Sequence, residues 1–129
     1  MTDAPLHPLV ARLVAEHGYR YAEVGGGDAL PAGDSVLFLP CHGKAHLETP
    51  DVAVVLPELL RTLGGGVDGI VAGPDLERRM RERLGGIALP ALVVLRGGEP
   101  VGSVSRMRDW DEYLKRLSAL LAAPSTASH

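Results

Sequence analysis

The chain has 129 residues, of which 46% are hydrophobic and 22% are charged. This composition is typical of one globular domain and excludes an intrinsically disordered chain. The formal net charge is −3, and because nucleic-acid surfaces need clustered basic residues, we expect no nucleic-acid partner. The single cysteine, Cys41, excludes an intramolecular disulfide and a two-cysteine redox motif within the chain.

The amino-terminal residues M-T-D-A-P-L-H-P lack the basic region and apolar stretch of a secretory signal. No window contains the roughly eighteen apolar residues that a membrane span requires. We therefore expect a cytoplasmic protein without membrane insertion. Residues 8–122 are expected to form one domain, with 1–7 and 124–129 as flexible tails.

The amino-terminal third predicts one helix and two strands. Pro8 suits a first helical turn, and apolar residues follow at helical spacing: Leu9, Val10, Leu13 and Val14. Residues 19–24 alternate in the manner of a strand, and the glycine-rich stretch 25–34 indicates a loop. The continuous apolar run S-V-L-F-L at 35–39 is typical of a central strand covered on both faces.

A long amphipathic helix follows a short loop. Thr49 is expected to cap its amino terminus, with Pro50 at the first helical position. The apolar residues of its buried face are Val52, Val55, Leu56, Leu59, Leu60 and Leu63. Pro57 lies inside this pattern and removes one backbone donor, so we expect a kink there.

The remaining residues predict three strands and two helices. Residues 67–72, 91–95 and 100–105 are the strands, and Gly97-Gly98 indicates a hairpin turn between the last two. A helix from Pro74 has its apolar positions at Leu76, Met80 and Leu84. Asp109 is expected to cap the last helix, whose apolar residues are Trp110, Tyr113, Leu114, Leu117, Leu120 and Leu121. We expect Trp110 to pack in or over the core rather than serve as a binding platform.

Alternating strands and helices followed by a hairpin indicate an α/β domain with parallel strands on one side of a mixed sheet. The order resembles the thioredoxin fold, a three-layer sandwich with helices on both faces of the sheet. By that resemblance the Leu89–Pro90 bond is expected to be cis. Pro90 is then a structural residue at the end of a small groove beside the loop P-C-H-G-K at 40–44.

The match to active thioredoxins fails where their chemistry lies. Their C-x-x-C motif stands between the central strand and the kinked helix, where this chain has P-C-H-G-K. Lys44 occupies the position of a second cysteine, and a dithiol cycle needs a second thiol to release the mixed disulfide. We therefore expect neither an enzyme nor a dithiol redox protein.

Residues 9–121 more closely resemble the hydrogenase-expression proteins of the HyaE, HupG and HoxO type. The resemblance rests on the segments S-V-L-F-L, E-T-P-D-V-A-V-V-L-P-E-L-L, L-P-A-L-V-V-L-R-G-G and R-D-W-D-E-Y. It implies a chaperone in the maturation of uptake nickel–iron hydrogenases. The implied partner is the small subunit precursor, bound with its twin-arginine signal peptide before export, and other hydrogenase accessory proteins are possible partners.

Three carboxylates, Glu48, Asp51 and Glu58, run from the loop onto the long helix. They are our candidate partner-binding residues, because carboxylates bind arginine in a bidentate and orientation-specific manner. The alternative is that they only cap and solvate the helix, as surface carboxylates usually do.

Two other interpretations concern the same loop. Cys41 is either a reactive monothiol activated by Lys44 and the helix terminus, or a loop thiol without chemistry. Cys41, His42 and His46, with Glu48 as a fourth ligand, have the chemistry of a metal site, but adjacent ligands rarely reach one ion. We therefore expect no resident metal or cofactor.

A basic cluster occupies the helix that starts at Pro74. Its arginines are Arg78, Arg79, Arg81 and Arg83. Glu77 and Glu82 are interspersed among them, so we interpret this stretch as a solvated helix surface.

Overall fold

The computed structural model describes residues 8–24, 33–42, 48–64 and 66–122. Four helices lie within these ranges: α1 (Pro8–Ala15), α2 (Thr49–Leu63), α3 (Pro74–Arg83) and α4 (Trp110–Ala122). Five strands lie there too: β1 (Arg20–Ala22), β2 (Asp34–Leu39), β3 (Asp68–Ala72), β4 (Ala91–Arg96) and β5 (Glu99–Ser105). The expected tails, the glycine-rich residues 25–32 and residues 43–47 lie outside the described residues.

The five strands form one mixed sheet in the order β1-β3-β2-β4-β5. β3 is parallel to both β1 and β2, whereas β2, β4 and β5 pair antiparallel. Phe38 of the central strand is in register with Val71 on one side and Leu92 on the other. This topology confirms the expected thioredoxin-like α/β sandwich.

The continuous apolar run of β2 is explained by helices on both faces of the sheet. Val36 and Phe38 pack into a core with α1, α2 and α4. Leu37 and Leu39 point to the opposite face, where they pack with Met80 and other residues of α3. Side chains of a strand alternate between the two faces of a sheet. Because helices cover both faces, both sets are fully buried.

The predicted hairpin between β4 and β5 is confirmed. Gly97 and Gly98 have φ angles of 62° and 83°, the pair of positive values that a type I′ turn requires. Arg96 and Glu99 pair across this turn.

The start of α2 differs from the prediction. The expectation that Thr49 caps the helix is wrong, because Thr49 is its first helical residue and Glu48 is at the cap position, without a side-chain cap bond. The Thr49 hydroxyl instead donates to the Pro40 carbonyl at 2.9 Å, which ties the helix to the end of β2. α2 continues through Pro57, and the kink expected there stays a prediction.

The Leu89–Pro90 peptide bond is cis, as the resemblance implied. The carbonyl of Pro90 accepts the backbone N–H of Arg106 at 2.6 Å. Trp110, by contrast, lies outside the core at 40% exposure, while Tyr113 and Leu117 carry the buried face of α4. Trp110 is the first residue of α4.

Candidate functional site

The end of β2, the start of α2, cis-Pro90 and the turn after β5 meet at one end of the sheet. The Thr49–Pro40 bond joins α2 to β2, and the Arg106–Pro90 bond joins the turn after β5 to the cis-proline. This end of the sheet holds Cys41, His42 and Glu48, three of the residues that the sequence singled out. We call it the β2–α2 end.

A buried carboxylate from α3 holds the backbone of the loop after β2. Glu77 is only 5% exposed, and its two oxygens accept the N–H groups of Cys41 and His42 at 2.7 Å each. The imidazole Nε2 of His42 donates to the Ala72 carbonyl at 2.6 Å. Glu77 therefore fixes a segment in which Cys41 takes a φ of 72°, a conformation rare for residues other than glycine.

The interpretation of Glu77 as part of a solvated helix face is wrong. The signal was present in the sequence, because Glu77 lies three residues before Met80 and shares the buried face of α3. A carboxylate on such a face needs hydrogen-bond donors to remain buried. The two backbone N–H groups satisfy that need.

Burial raises the pKa of the Glu77 carboxyl, and this outweighs the opposing effects of the His42 and Cys41 N–H donors, His42 and Arg81. The native state therefore binds the Glu77 proton at pH values where the unfolded chain, with its ordinary value of 4.5, has released it. Stability linked to this proton is fully present below the unfolded pKa and decreases as pH rises toward the folded pKa.

We predict that the unfolding free energy of the wild type, minus that of Glu77→Gln, decreases as pH rises above 4.5 and then levels off. Urea unfolding of both proteins at several pH values between 4 and 8 measures this difference. A difference that grows with pH would show that the two N–H donors outweigh burial.

A second carboxylate, from the residue that follows β1, caps α3. Glu23 accepts the backbone N–H groups of Asp75 at 3.0 Å and Leu76 at 2.6 Å. A helix leaves its first N–H groups without intrahelical acceptors, and an anion there interacts well with the helix dipole. This role was not predicted, because Glu23 lies 52 residues before Asp75 and nothing local in the sequence indicates the contact.

Glu48 is held by the turn that follows β5. Its carboxylate accepts Nε and Nη2 of Arg106 at 3.2 and 2.8 Å, and the Met107 N–H at 2.6 Å. The carbonyl of Arg106 accepts the Tyr113 hydroxyl at 2.8 Å. Through Arg106, Glu48 thus links the start of α2 to Tyr113 of α4. Burial raises the pKa of Tyr113 to about 12.

The other two candidate acids lie on α2. Asp51 is exposed in the first turn, and Glu58 is exposed and paired with Arg61. The three candidate acids are therefore in different surroundings, with Glu48 engaged by Arg106. Their role in partner binding stays a prediction.

The structure brings together only part of the proposed metal-ligand set. Cys41 and His42 are adjacent, but Nε2 of His42 is directed to a carbonyl and His46 lies outside the described residues. Within the described ranges, no group of three His, Cys, Asp or Glu side chains is placed to hold a metal ion.

The arginines of α3 are exposed, as expected. Arg78 pairs with Asp75, Arg83 pairs with Glu99, and Arg81 donates to the carbonyl of Ile87. Such exposed pairs contribute little to stability.

Two hollows lie beside α2. The smaller, about 130 Å³, is lined in part by Leu9, Ala53 and Val54. The larger, about 430 Å³, has charged residues in its lining: Arg20, Arg61 and Asp68. His17 and Pro57 line both hollows. We call the smaller hollow, which lies between α1 and α2, the α1–α2 groove. The small groove expected beside cis-Pro90 is a different place and stays a prediction.

In the part of the chain that the structure describes, no helix has the length and apolar character needed to cross a membrane.

Comparison with known proteins gives consistent matches. A family model described as "Hydrogenase-1 expression protein HyaE" matches residues 9–113. The hydrogenase expression/formation protein HupG of Rhodobacter capsulatus is 39% identical over 121 residues, which cover 91% of this chain and 87% of that protein. The hydrogenase expression/formation protein HoxO of Azotobacter vinelandii is 39% identical over 119 residues, covering 91% and 80%.

A solved structure agrees with these matches. The crystal structure of a hydrogenase expression/formation protein, hupG of Rhodopseudomonas palustris, superposes with a TM-score of 0.52 at 28% identity. The match covers 80% of this chain and 95% of that one. The family match over most of the chain agrees with the resemblance seen in the sequence, and the chain belongs to the HyaE family of hydrogenase expression proteins.

Proposed function

We propose that this protein is a non-catalytic, cytoplasmic chaperone in the maturation of an uptake nickel–iron hydrogenase. Its proposed partner is the small subunit precursor, which it binds through the twin-arginine signal peptide before export. The observation that carries the proposal is the family match over residues 9–113. Relatives named for hydrogenase expression and formation support the maturation role.

The non-redox part of the proposal rests on the thiol count and on the loop geometry. Cys41 is the single cysteine, so the chain has no resolving thiol to release a mixed disulfide. The backbone around Cys41 is fixed by Glu77 and its neighbour His42 is anchored to Ala72. We propose that this loop has a structural role.

A binding titration tests the chaperone proposal. The probes are the hydrogenase small subunit precursor and the same subunit without its signal peptide. We expect saturable binding of the precursor and much weaker binding of the truncated subunit. Equal binding of both would place recognition on the folded body of the subunit, and no binding of either would contradict the proposed function.

We predict that Cys41→Ser leaves hydrogenase maturation unchanged in a strain that lacks the wild-type gene. A serine removes the thiol chemistry with little change in size, and a structural loop does not need that chemistry. Hydrogenase activity and the processed small subunit are measured beside wild type and a deletion strain. Loss of maturation with normal amounts of the variant would favour the monothiol redox function instead.

We propose a narrower role for the acidic residues than the sequence suggested. Glu48 is already engaged by Arg106, so binding of a partner arginine there would have to displace an internal one. Asp51 and Glu58 are exposed on α2. Glu58, like Glu48, already pairs with an internal arginine, Arg61. We therefore propose that Asp51 contacts the basic part of the signal peptide.

A further inference from the structure

Among the described strands, β5 lies at one edge of the sheet and pairs only with β4. The bond from the Arg106 N–H to the Pro90 carbonyl continues the β4–β5 ladder by one residue pair. Hydrogen-bonded and non-hydrogen-bonded pairs alternate in an antiparallel ladder. The backbone groups of Val104 and Gly102 therefore also bond to β4, whereas those of Ser103 point away from the sheet.

The outward backbone groups in this part of β5 belong to Ser103 and Ser105. Arg108 donates from Nε to the carbonyl of Ser105 at 2.9 Å and so occupies that acceptor. Within the part of the chain that the structure describes, the N–H and the carbonyl of Ser103 have no hydrogen-bond partner. An edge strand with such groups is a template for pairing with another strand.

The second half of β5 lacks the features that usually block strand pairing. Charged side chains, prolines and β-bulges protect the edges of native sheets. Pro100 and the register shift opposite Val94 and Leu95 lie in the first half of the strand. Residues 101–105 carry no charged side chain, so the strand around Ser103 is open to a partner.

Ser103 is complementary to a second copy of itself. Two residues that face each other in an antiparallel hydrogen-bonded pair exchange both N–H to carbonyl bonds. When Ser103 of one copy lies opposite Ser103 of another, all four outward groups are satisfied. A two-fold axis perpendicular to the sheet gives this arrangement and uses the same surface of both copies.

The same axis places α4 of both copies on one face of the joined sheet. Leu120 of α4 packs directly on Gly102, where it leaves no room for a side chain. Leu120 is only partly buried, and it stands beside the strand edge that the second copy would cover. Pairing of the strands therefore also removes apolar surface from water.

The charges at the two ends of β5 favour antiparallel pairing. Glu99 begins the strand, and its exposed side chain pairs with Arg83. Arg106 and Arg108 follow the strand, and Arg106 pairs with Glu48. Antiparallel pairing directs the end that carries a carboxylate toward the arginine end of the other copy, whereas parallel pairing brings like ends together.

We propose that the β5 edge is a homodimer interface, in which two copies pair antiparallel about Ser103 and form one continuous sheet. The occupant of this edge is a second copy of the chain, because self-pairing satisfies both outward groups of Ser103 and matches the ends of the strand. The proposal adds an assembly state to the protein and does not depend on its role in hydrogenase maturation.

Sedimentation velocity over a concentration series tests the proposal, and we expect a dimer whose fraction rises with concentration. Ser103→Pro removes the outward N–H, and proline is compatible with an edge position whose N–H is not used by the sheet. Ser103→Lys places two like charges opposite each other. We expect each variant to raise the dimer dissociation constant by about ten-fold or more.

Thr62→Lys is the matched control for Ser103→Lys. It adds the same charge at an exposed position of α2, and we expect it to dimerise as the wild type does. Circular dichroism confirms that each variant is folded before it is sedimented.

A disulfide cross-link tests the register of the pairing. Opposite residues in a hydrogen-bonded antiparallel pair have Cα atoms about 5.5 Å apart, which suits a disulfide. Ser103→Cys in a Cys41→Ser background, which leaves one thiol per chain, is expected to form a covalent dimer on mild oxidation. Thr62→Cys in the same background is expected to stay monomeric on a denaturing gel.

A wild type that stays monomeric over the whole concentration series would overturn the proposal. A dimer that neither Ser103→Pro nor Ser103→Lys weakens would place the interface elsewhere and overturn it as well. A monomeric wild type that binds the hydrogenase small subunit precursor more tightly than Ser103→Pro does would assign the edge to a strand of the precursor, against the proposed dimer.

Discussion

Replacing Glu77 with alanine is expected to lower the unfolding free energy by about 2–4 kcal/mol near pH 7. The change removes the acceptor of two short hydrogen bonds and leaves the N–H groups of Cys41 and His42 without it. A buried donor without an acceptor costs about 1–3 kcal/mol. The raised pKa of Glu77 lessens the benefit of its ionised form but does not supply another acceptor.

Glu77→Gln is expected to lose less, about 1–2 kcal/mol, because its amide oxygen still accepts one of the two N–H groups. Urea unfolding at pH near 7 gives the unfolding free energy of the wild type and of each variant. Native-state hydrogen exchange gives a local readout, and the amides of Cys41 and His42 are expected to exchange faster in Glu77→Ala than in wild type.

Asp75→Ala is the matched control for this prediction. Asp75 lies in the same first turn of α3 but is exposed and paired with Arg78. Its removal takes away a helix-dipole contribution and the exposed ion pair with Arg78, and is expected to cost no more than about 1 kcal/mol. A Glu77→Ala loss no larger than that of Asp75→Ala would show that the loop does not depend on its carboxylate.

The strands were predictable because each central one is covered on both faces. The run at 36–39 is apolar throughout because Val36 and Phe38 face one helical layer while Leu37 and Leu39 face the other. β1 was predicted over 19–24 but spans Arg20–Ala22. Tyr19 packs across Gly69 instead, so its side chain follows the contact with β3 rather than the alternation of the strand.

The contacts of the carboxylates were not predictable from spacing. Glu77 bonds to backbone groups 35 and 36 residues away, and Glu48 pairs with Arg106 across 58 residues. Local patterns carry no information on such partners, because the topology of the sheet brings them together. The charge of these residues was visible in the sequence, but their burial and their partners were not.

Val54 illustrates the same limit in reverse. The apolar stripe of α2 was assigned correctly, and Val54 falls outside it. An isolated valine outside the apolar stripe does not indicate a binding site in a sequence, since single surface hydrophobic residues are common. It becomes informative only when α1 is seen to place Leu9 beside it.

The second large effect concerns Glu48, which the sequence offered as a docking acid. We predict that Glu48→Ala lowers the unfolding free energy by about 1–3 kcal/mol. The side chain accepts two guanidinium N–H groups and the Met107 N–H. Glu48 and Arg106 are 31% and 42% exposed, so solvent screening keeps the ion-pair part of this loss small.

A double-mutant cycle isolates that pair. Glu48→Gln, Arg106→Gln and the double variant are compared with wild type by urea unfolding, and we expect a coupling free energy of about 1 kcal/mol. Asp51→Asn is the matched control, because Asp51 is an exposed acid three residues further along the same helix. We expect its effect to stay within about 0.5 kcal/mol.

The same variants, titrated with the precursor peptide as well, decide whether Glu48 is a structural residue or a docking acid. If Glu48 is structural, as its contacts indicate, Glu48→Gln loses stability while the folded variant still binds the precursor peptide. Asp51→Asn is then expected to keep its stability and to bind the peptide more weakly. If Glu48→Gln is as stable as Asp51→Asn and loses peptide affinity, the internal arginine is only a replaceable occupant of a docking acid. In that case Arg106→Gln would strengthen peptide binding, because the peptide arginine would no longer compete with an internal guanidinium for the Glu48 carboxylate.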